Sequence, residues 1–275
     1  MKKILLVSGC SNTEKDFQSE VHPEMDCTWT KWPELLAKKL DMDCVNLAKS
    51  GMGNEYIYTT LLHYILNEDR NNIGLVIPAW TQCQRKDYQY GYSWRSRWPQ
   101  KSNYWRNKRI DPDGDIFSWM RKSLDICLSF QIMCERYNLP YMQVQMLSPY
   151  IDWLYGLKPA DMEIERGKFP KGFRYTYPGD AEKDNLKIIK MIDSYEDKIN
   201  IDKFLGWPLS HEFGGYSLQK RLIGWNHKKF KDNVSLGIKE PSAVPGGPTM
   251  ISKSDAHPNA LGHKVISDFI YDRLG

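Results

Sequence analysis

Two short stretches near opposite ends of the chain carry side chains that could act together. Gly9-Cys10-Ser11-Asn12-Thr13 sets a serine directly after an apolar run, where backbone N–H groups are free and a ligand can approach. Asp255-Ala256-His257-Pro258-Asn259 sets an aspartate and a histidine two residues apart, just before a final helical pattern. In such a carboxylate–imidazole pair the acid fixes the ring tautomer, and the second ring nitrogen can take a proton from a serine hydroxyl. That is the chemistry of acyl transfer. Each stretch alone also has a plainer meaning: a serine after a strand serves as a turn or cap residue, and an Asp-x-His can be surface loop.

The elements that would have to position these groups follow from hydrophobic periodicity. Lys3–Ser8, Asp43–Leu47, Ile73–Trp80 and Pro140–Leu147 read as strands, with Ile201–Trp207 as a fifth. Ile73–Trp80 is apolar throughout, as a central parallel strand covered on both faces requires. Thr30–Leu40, Asn54–Leu66 and Asp115–Tyr137 carry helical spacing. In the last of these Phe117, Met120, Leu124, Leu128, Ile132 and Cys134 are the predicted inward face. Asp180–Tyr195 also reads as helix, and Asn259–Leu274 closes the chain as an amphipathic one. Repeated βα units of this length predict a three-layer α/β/α fold with a mainly parallel, about five-stranded sheet and the site at the strand C-termini. Lys239–Pro248 is a loop by its prolines and glycines. No internal repeat or clean boundary divides 1–275, so a single decorated α/β domain is expected, with insertions at 84–111 and within 148–250.

Composition narrows the class. The chain has 275 residues, 41% of them hydrophobic and 26% charged, which argues against disorder and against a coiled coil. No run of about 18 apolar residues suggests a membrane span. The N-terminal MKKILLV imitates a signal peptide, but its apolar part, Ile4–Val7, is shorter than an h-region of about 7 residues. A cytoplasmic location is expected. Six cysteines show no zinc-type spacing and are read as reduced, mostly buried thiols. His263, six residues after His257, is not at a zinc spacing either, and packing at the helix start is its predicted role.

Taken together, these stretches resemble the SGNH (GDSL-like) hydrolases, in particular divergent bacterial and phage-encoded members. Gly9-Cys10-Ser11 looks like that family's Gly-Asp-Ser block with Cys in place of Asp. Asn46 followed five residues later by Gly51 is similar to its second block, and Asp255-Ala256-His257-Pro258-Asn259 with Gly262-His263 to its last. The resemblance implies a flavodoxin-like α/β/α fold and an esterase or deacetylase with Ser11 as nucleophile, His257 as general base and acid, and Asp255 orienting the ring. It implies an oxyanion hole from the backbone N–H groups of Ser11 and Gly51, and no metal or cofactor. The family's third block has an Asn after the third strand, whereas this chain reads Ile77-Pro78-Ala79-Trp80-Thr81-Gln82. Thr81, Gln82 or Asn54 could stand in as donor, and Trp80-Thr81 with Arg85 is similar to the Trp-Ser/Thr…Arg version of the block.

Aromatic residues make up 13% of the chain, with ten Trp and sixteen Tyr, and they are unevenly placed. Between Arg85 and Arg109 lie eight Lys/Arg and the single acid Asp87, a surplus of seven in a chain whose net charge is +4. Seven rings interleave with them, among them Trp94, Trp98 and Trp105. Three readings stand. The rings stack on a sugar while cations hold acidic groups; the segment binds single-stranded nucleic acid; or it is a lid packed over the domain. The expected substrate is therefore a carbohydrate or other small ester, with Trp80, Arg85, Trp94, Trp98 and Trp105 as binding residues. An acyltransferase is the close variant, and a catalytically weak scaffold that binds glycan or nucleic acid is the alternative.

Overall fold

Continuous apolar runs become the inner strands of one parallel sheet. The computed structural model describes residues 2–91, 93–97, 116–149, 187–188, 190–209, 215–222, 248–252 and 254–275. In chain order the strands are β1 (Ile4–Ser8), β2 (Asp43–Asn46), β3 (Ile73–Trp80), β4 (Lys86–Tyr90), β5 (Ser93–Arg97), β6 (Gln143–Gln145) and β7 (Phe204–Leu205). The helices are α1 (Trp32–Lys39), α2 (Asn54–Asn67), α3 (Ile116–Arg136), α4 (Leu218–Leu222) and α5 (Ala260–Leu274). The main sheet runs β2-β1-β3-β6-β7 with every pairing parallel. That is the flavodoxin-like order, in which the loops leaving the strand C-termini share one edge of the sheet.

Strand alternation divides the core into two layers. Leu5, Val7, Leu75, Ile77 and Val144 point to the face covered by α1 and α5 through Trp32, Leu36, Ile266 and Ile270. Leu6, Val76 and Trp80 point to the other face, where Ile57, Leu61 and Ile65 of α2 and Met120, Leu124 and Phe130 of α3 cover them. The predicted inward face of α3 is corrected at Ile132, which is 56% exposed, while Phe130 is buried against Trp80 and Tyr141. Residues 130, 127 and 134 follow the stripe that the sheet selects; Ile132 lies about 200° from Phe130 round the helix at 3.6 residues per turn. All six cysteines are free, and burial pushes the Cys83 thiol up to about 12, which leaves it neutral.

The region after β3, where strand–helix alternation broke down in the sequence, begins with an antiparallel hairpin of β4 and β5. Trp98, Trp105 and most of the 148–250 insertion lie outside the described residues. No described helix is long and apolar enough to cross a membrane.

Helix α1 begins without a side-chain cap from its own segment. The acceptor comes from α5 instead: the backbone N–H of Trp32 donates to Nδ1 of His263 at 3.2 Å. His263 is buried, and desolvation first, with the Lys31 and His257 charges behind it, lowers its pKa to about 3 from 6.5. The unfolded chain thus binds a proton there between about pH 6.5 and about 3 that the native state refuses. This group's contribution to stability is complete above pH 6.5 and falls by up to about 1.4 kcal/mol per pH unit as the pH drops through that window. His263→Asn, whose Oδ1 can accept from Trp32, is expected to flatten the pH dependence of urea unfolding between pH 6 and pH 4. An unchanged slope would show that His263 is not buried in its neutral form.

Candidate active site

The serine loop is set by close backbone packing. After β1 the chain turns sharply, with the N–H groups of Thr13 and Glu14 both donating to the Cys10 carbonyl at 2.9 and 3.1 Å. A Cβ on Gly9 would lie 2.6 Å from Thr13 Oγ1, so only glycine fits beneath this turn. Ser11 rides on it, half-buried. The neighbouring loop after β2 is fastened to the same turn. Asn46 Nδ2 donates to the Thr13 carbonyl at 2.8 Å, Lys49 N–H to the Gly9 carbonyl at 3.1 Å, and both the N–H and the hydroxyl of Ser50 to the Glu14 carboxylate. Gly51 follows with φ +78, a left-handed conformation natural to glycine, and it is exposed.

The acid–base loop is built from the other end of the chain. Met250 bridges Pro258, and Ile251 N–H donates to the His257 carbonyl at 3.0 Å, so the stretches 249–252 and 254–259 lie side by side as a narrow antiparallel pair. Asn259 closes it: its Nδ2 donates to the carbonyls of Pro248 and Met250, and its Oδ1 accepts from Gly262 N–H as the cap of α5. Gly262 has no room for a Cβ, which would lie 2.2 Å from the Thr249 carbonyl oxygen.

This loop delivers His257 to Ser11. The ring's Nδ1 lies 2.5 Å from Asp255 Oδ1 and its Nε2 lies 2.8 Å from Ser11 Oγ. An ionised carboxylate only accepts, so Nδ1 carries the proton and the neutral ring offers Nε2 to the serine hydroxyl. Asp255 is buried, and that burial alone would raise its pKa. Donation from Ser19 and from the ring and backbone N–H of His257 outweighs burial and holds the carboxyl below its ordinary range. Phe17, also buried, lays its ring 4.4 Å from the imidazole. The arrangement can therefore deprotonate Ser11 during attack on a carbonyl and stabilise the imidazolium that results.

The expected donors after β3 are occupied differently. Asn54 is buried at the start of α2, with Oδ1 accepting from Thr81 N–H at 2.9 Å and Nδ2 donating to Ser123 Oγ at 3.1 Å. Its amide is committed to holding the β3 end, which removes it as a free oxyanion donor. Thr81 Oγ1 is buried with no hydrogen-bond partner among the described residues, and a buried hydroxyl does not reach a solvent-borne substrate. Trp80 and Arg85, expected to bind substrate, are both buried. Trp80 is fully buried and donates from Nε1 to Gln143 Oε1 at 2.9 Å, because the register of β3 turns it into the core. Arg85, also buried, donates to Gln82 Oε1 at 3.3 Å and to the carbonyl of Met52, the residue after Gly51, at 2.8 Å. Trp94 is half-buried, edge-on to Tyr56 at 5.5 Å.

The hairpin explains why the basic segment keeps one acid. Asp87 accepts from the N–H groups of Gly53 and Tyr56 at 2.9 Å and so caps α2, whose own N-cap residue is a glycine without a side chain. Asp87 and Trp94 face α2, while Tyr90 is 78% exposed. Ser19 and Phe17 carry no signal in the sequence, and Asp87 stands out there only as the lone acid of the basic segment, since each acts through partners distant along the chain. His22 Nε2 lies 2.8 Å from Ser252 Oγ. Among the described residues no group of three His, Cys, Asp or Glu is arranged to hold a metal ion.

The strand order is that of a flavodoxin-like three-layer α/β/α fold, with a serine after β1 and an Asp-x-His before the last helix. No family model matches the chain and no curated protein matches it. Solved structures similar to it include a protein named as a lipolytic member of the G-D-S-L family from Desulfitobacterium hafniense DCB-2, at 10% identity and TM-score 0.46 over 99% of each chain. Another is the psychrotrophic esterase EstA from Pseudoalteromonas sp., inhibited by monoethylphosphonate, at 13% identity and TM-score 0.40 over 99% of this chain and 96% of that one.

Asp87→Ala is expected to lower the free energy of unfolding by about 1 kcal/mol, the usual worth of a helix cap. Denaturant titration checks this; a midpoint equal to that of the unaltered chain would remove Asp87 as the cap of α2.

Proposed function

We propose that this chain is a serine hydrolase of ester bonds that works through Ser11, His257 and Asp255. The observation that carries the proposal is the unbroken hydrogen-bonded series from Asp255 through His257 to Ser11, at 2.5 and 2.8 Å. Ser11 Oγ attacks the ester carbonyl as its proton passes to His257 Nε2. The tetrahedral oxyanion is met by backbone N–H groups, for which Ser11 and Gly51 are the candidates. Collapse expels the alcohol, which takes the proton back from His257. Water then enters and attacks the acyl carbon as its proton passes to His257, and collapse releases the acid while Ser11 Oγ takes that proton back from His257. If a hydroxyl acceptor replaces that water, the same steps transfer the acyl group.

The substrate we favour is an acyl ester of a carbohydrate, an acetyl ester above all. Its support is the aromatic and basic composition of 85–109, part of which forms the hairpin that caps α2 beside Gly51. A second reading, a catalytically weak scaffold that binds glycan or single-stranded nucleic acid, is favoured by one observation: Asn54 is committed to Thr81 and Ser123 and is not free to serve as a side-chain oxyanion donor.

A fluorophosphonate probe separates the two. The intact chain is expected to label at Ser11 and to cleave short p-nitrophenyl esters; Ser11→Ala should abolish labelling, and Asp255→Asn should lower kcat by roughly 10⁴-fold. Absent labelling, with esters cleaved no faster than by Ser11→Ala, would leave the binding reading. Oligonucleotide affinity falling steeply with salt would then identify nucleic acid as the ligand.

A further inference from the structure

We infer that Ser19 is a positioning residue for the acid–base pair, holding Asp255 in line with His257 from a segment that belongs to neither catalytic loop. The inference rests on the esterase reading above. Each oxygen of the Asp255 carboxylate has its own task. Oδ1 accepts from the Nδ1–H and the backbone N–H of His257, whereas Oδ2 faces Ser19 Oγ at 2.5 Å. The direction of the Ser19 hydroxyl is not free. His22 N–H donates to its oxygen at 2.9 Å, so its one proton goes to the carboxylate, which can only accept.

The contact is one side of a closed ring of hydrogen bonds. From Ser19 it passes through the His22 backbone to the His22 ring, from Nε2 to Ser252 Oγ at 2.8 Å, and from that oxygen to the backbone N–H of Asp255 at 3.0 Å. The ring clamps Asp255 by its side chain and its main chain at once. Phe17, two residues before Ser19, packs on the imidazole and faces inward with Ser19, while Gln18 and Glu20 are exposed. One short segment thus touches both members of the pair. Ser19 is only 2% exposed, so without its hydroxyl Oδ2 would be a buried charged oxygen with no donor among the described residues. The carboxylate would then turn or protonate, and Nδ1–H would lose its partner.

Ser19→Ala tests this, with its fold checked by circular dichroism. The expected result is a fall of about 10- to 100-fold in kcat for p-nitrophenyl acetate, the range set by losing a hydrogen bond to a charged group, with KM little changed. The acid limb of the kcat–pH profile should shift, since it reports the coupled Asp255–His257 pair. Ser19→Cys, of nearly the same volume but a weak donor, should fall between the two and serves if the alanine variant does not fold. The low-field proton resonance of His257 Nδ1–H gives a readout independent of turnover, and it should shift upfield or vanish in both variants. If the unaltered chain takes no fluorophosphonate, the esterase reading fails, but this resonance still decides whether Ser19 orients the pair. Unchanged kcat, acid limb and Nδ1 resonance in a folded Ser19→Ala would overturn the inference.

Discussion

A carboxylate taken almost wholly out of water stays ionised only if donors replace the water it has lost. Asp255 meets that condition with three: the ring and backbone N–H of His257 and the hydroxyl of Ser19. Much of the local architecture follows from supplying them. The narrow antiparallel pair of 249–252 and 254–259 brings the backbone N–H of His257 round to its own aspartate, and the Asn259 cap holds that loop at the head of α5. The segment 17–22 leaves the surface to bring Phe17 and Ser19 under the same loop. Were Asp255 neutral, the tautomer of His257 and its offer of Nε2 to Ser11 would no longer be dictated.

The parallel sheet contributes a shared edge. Loops after β1 and β2 emerge side by side because the strands are hydrogen-bonded neighbours running the same way. Contacts from Asn46, Lys49 and Ser50 to residues 9–14 turn that adjacency into a fixed relation between Ser11 and Gly51. From the far side, Arg85 holds the Met52 carbonyl and Asp87 caps α2, so the β4–β5 hairpin braces the same glycine loop. An oxyanion hole built on backbone N–H groups depends on such bracing, because its donors must already point at the developing charge.

The end of β3 shows a different use of polar side chains. Where the resemblance leads one to expect a donor turned toward substrate, the side chains of Asn54, Ser123 and Gln145 hydrogen-bond with one another and with the main chain of Thr81 and Leu147. Trp80 and Gln143 do the same one layer deeper. These groups keep the loop entering the hairpin in place at the cost of a side-chain donor. What is braced on the Gly51 side is thereby taken from the β3 side.

Local patterning was enough for the sheet. Apolar runs and helical spacing identified β1, β3, α2 and α5 closely, because burial on one or both faces imposes a period that a linear reading detects. The pairing of Ser11 with Asp255 and His257 was legible for a related reason: two short, distinctive stretches sat where loops from parallel strands and the last helix must meet. Tertiary structure alone decided the rest. It turned Trp80 and Arg85 inward, committed Asn54, made Asp87 a cap and joined Ser19 to Asp255 across 236 residues. Those roles depend on register and on partners distant along the chain. Residue type and spacing carry no trace of a hydrogen bond whose two ends share neither a period nor a motif.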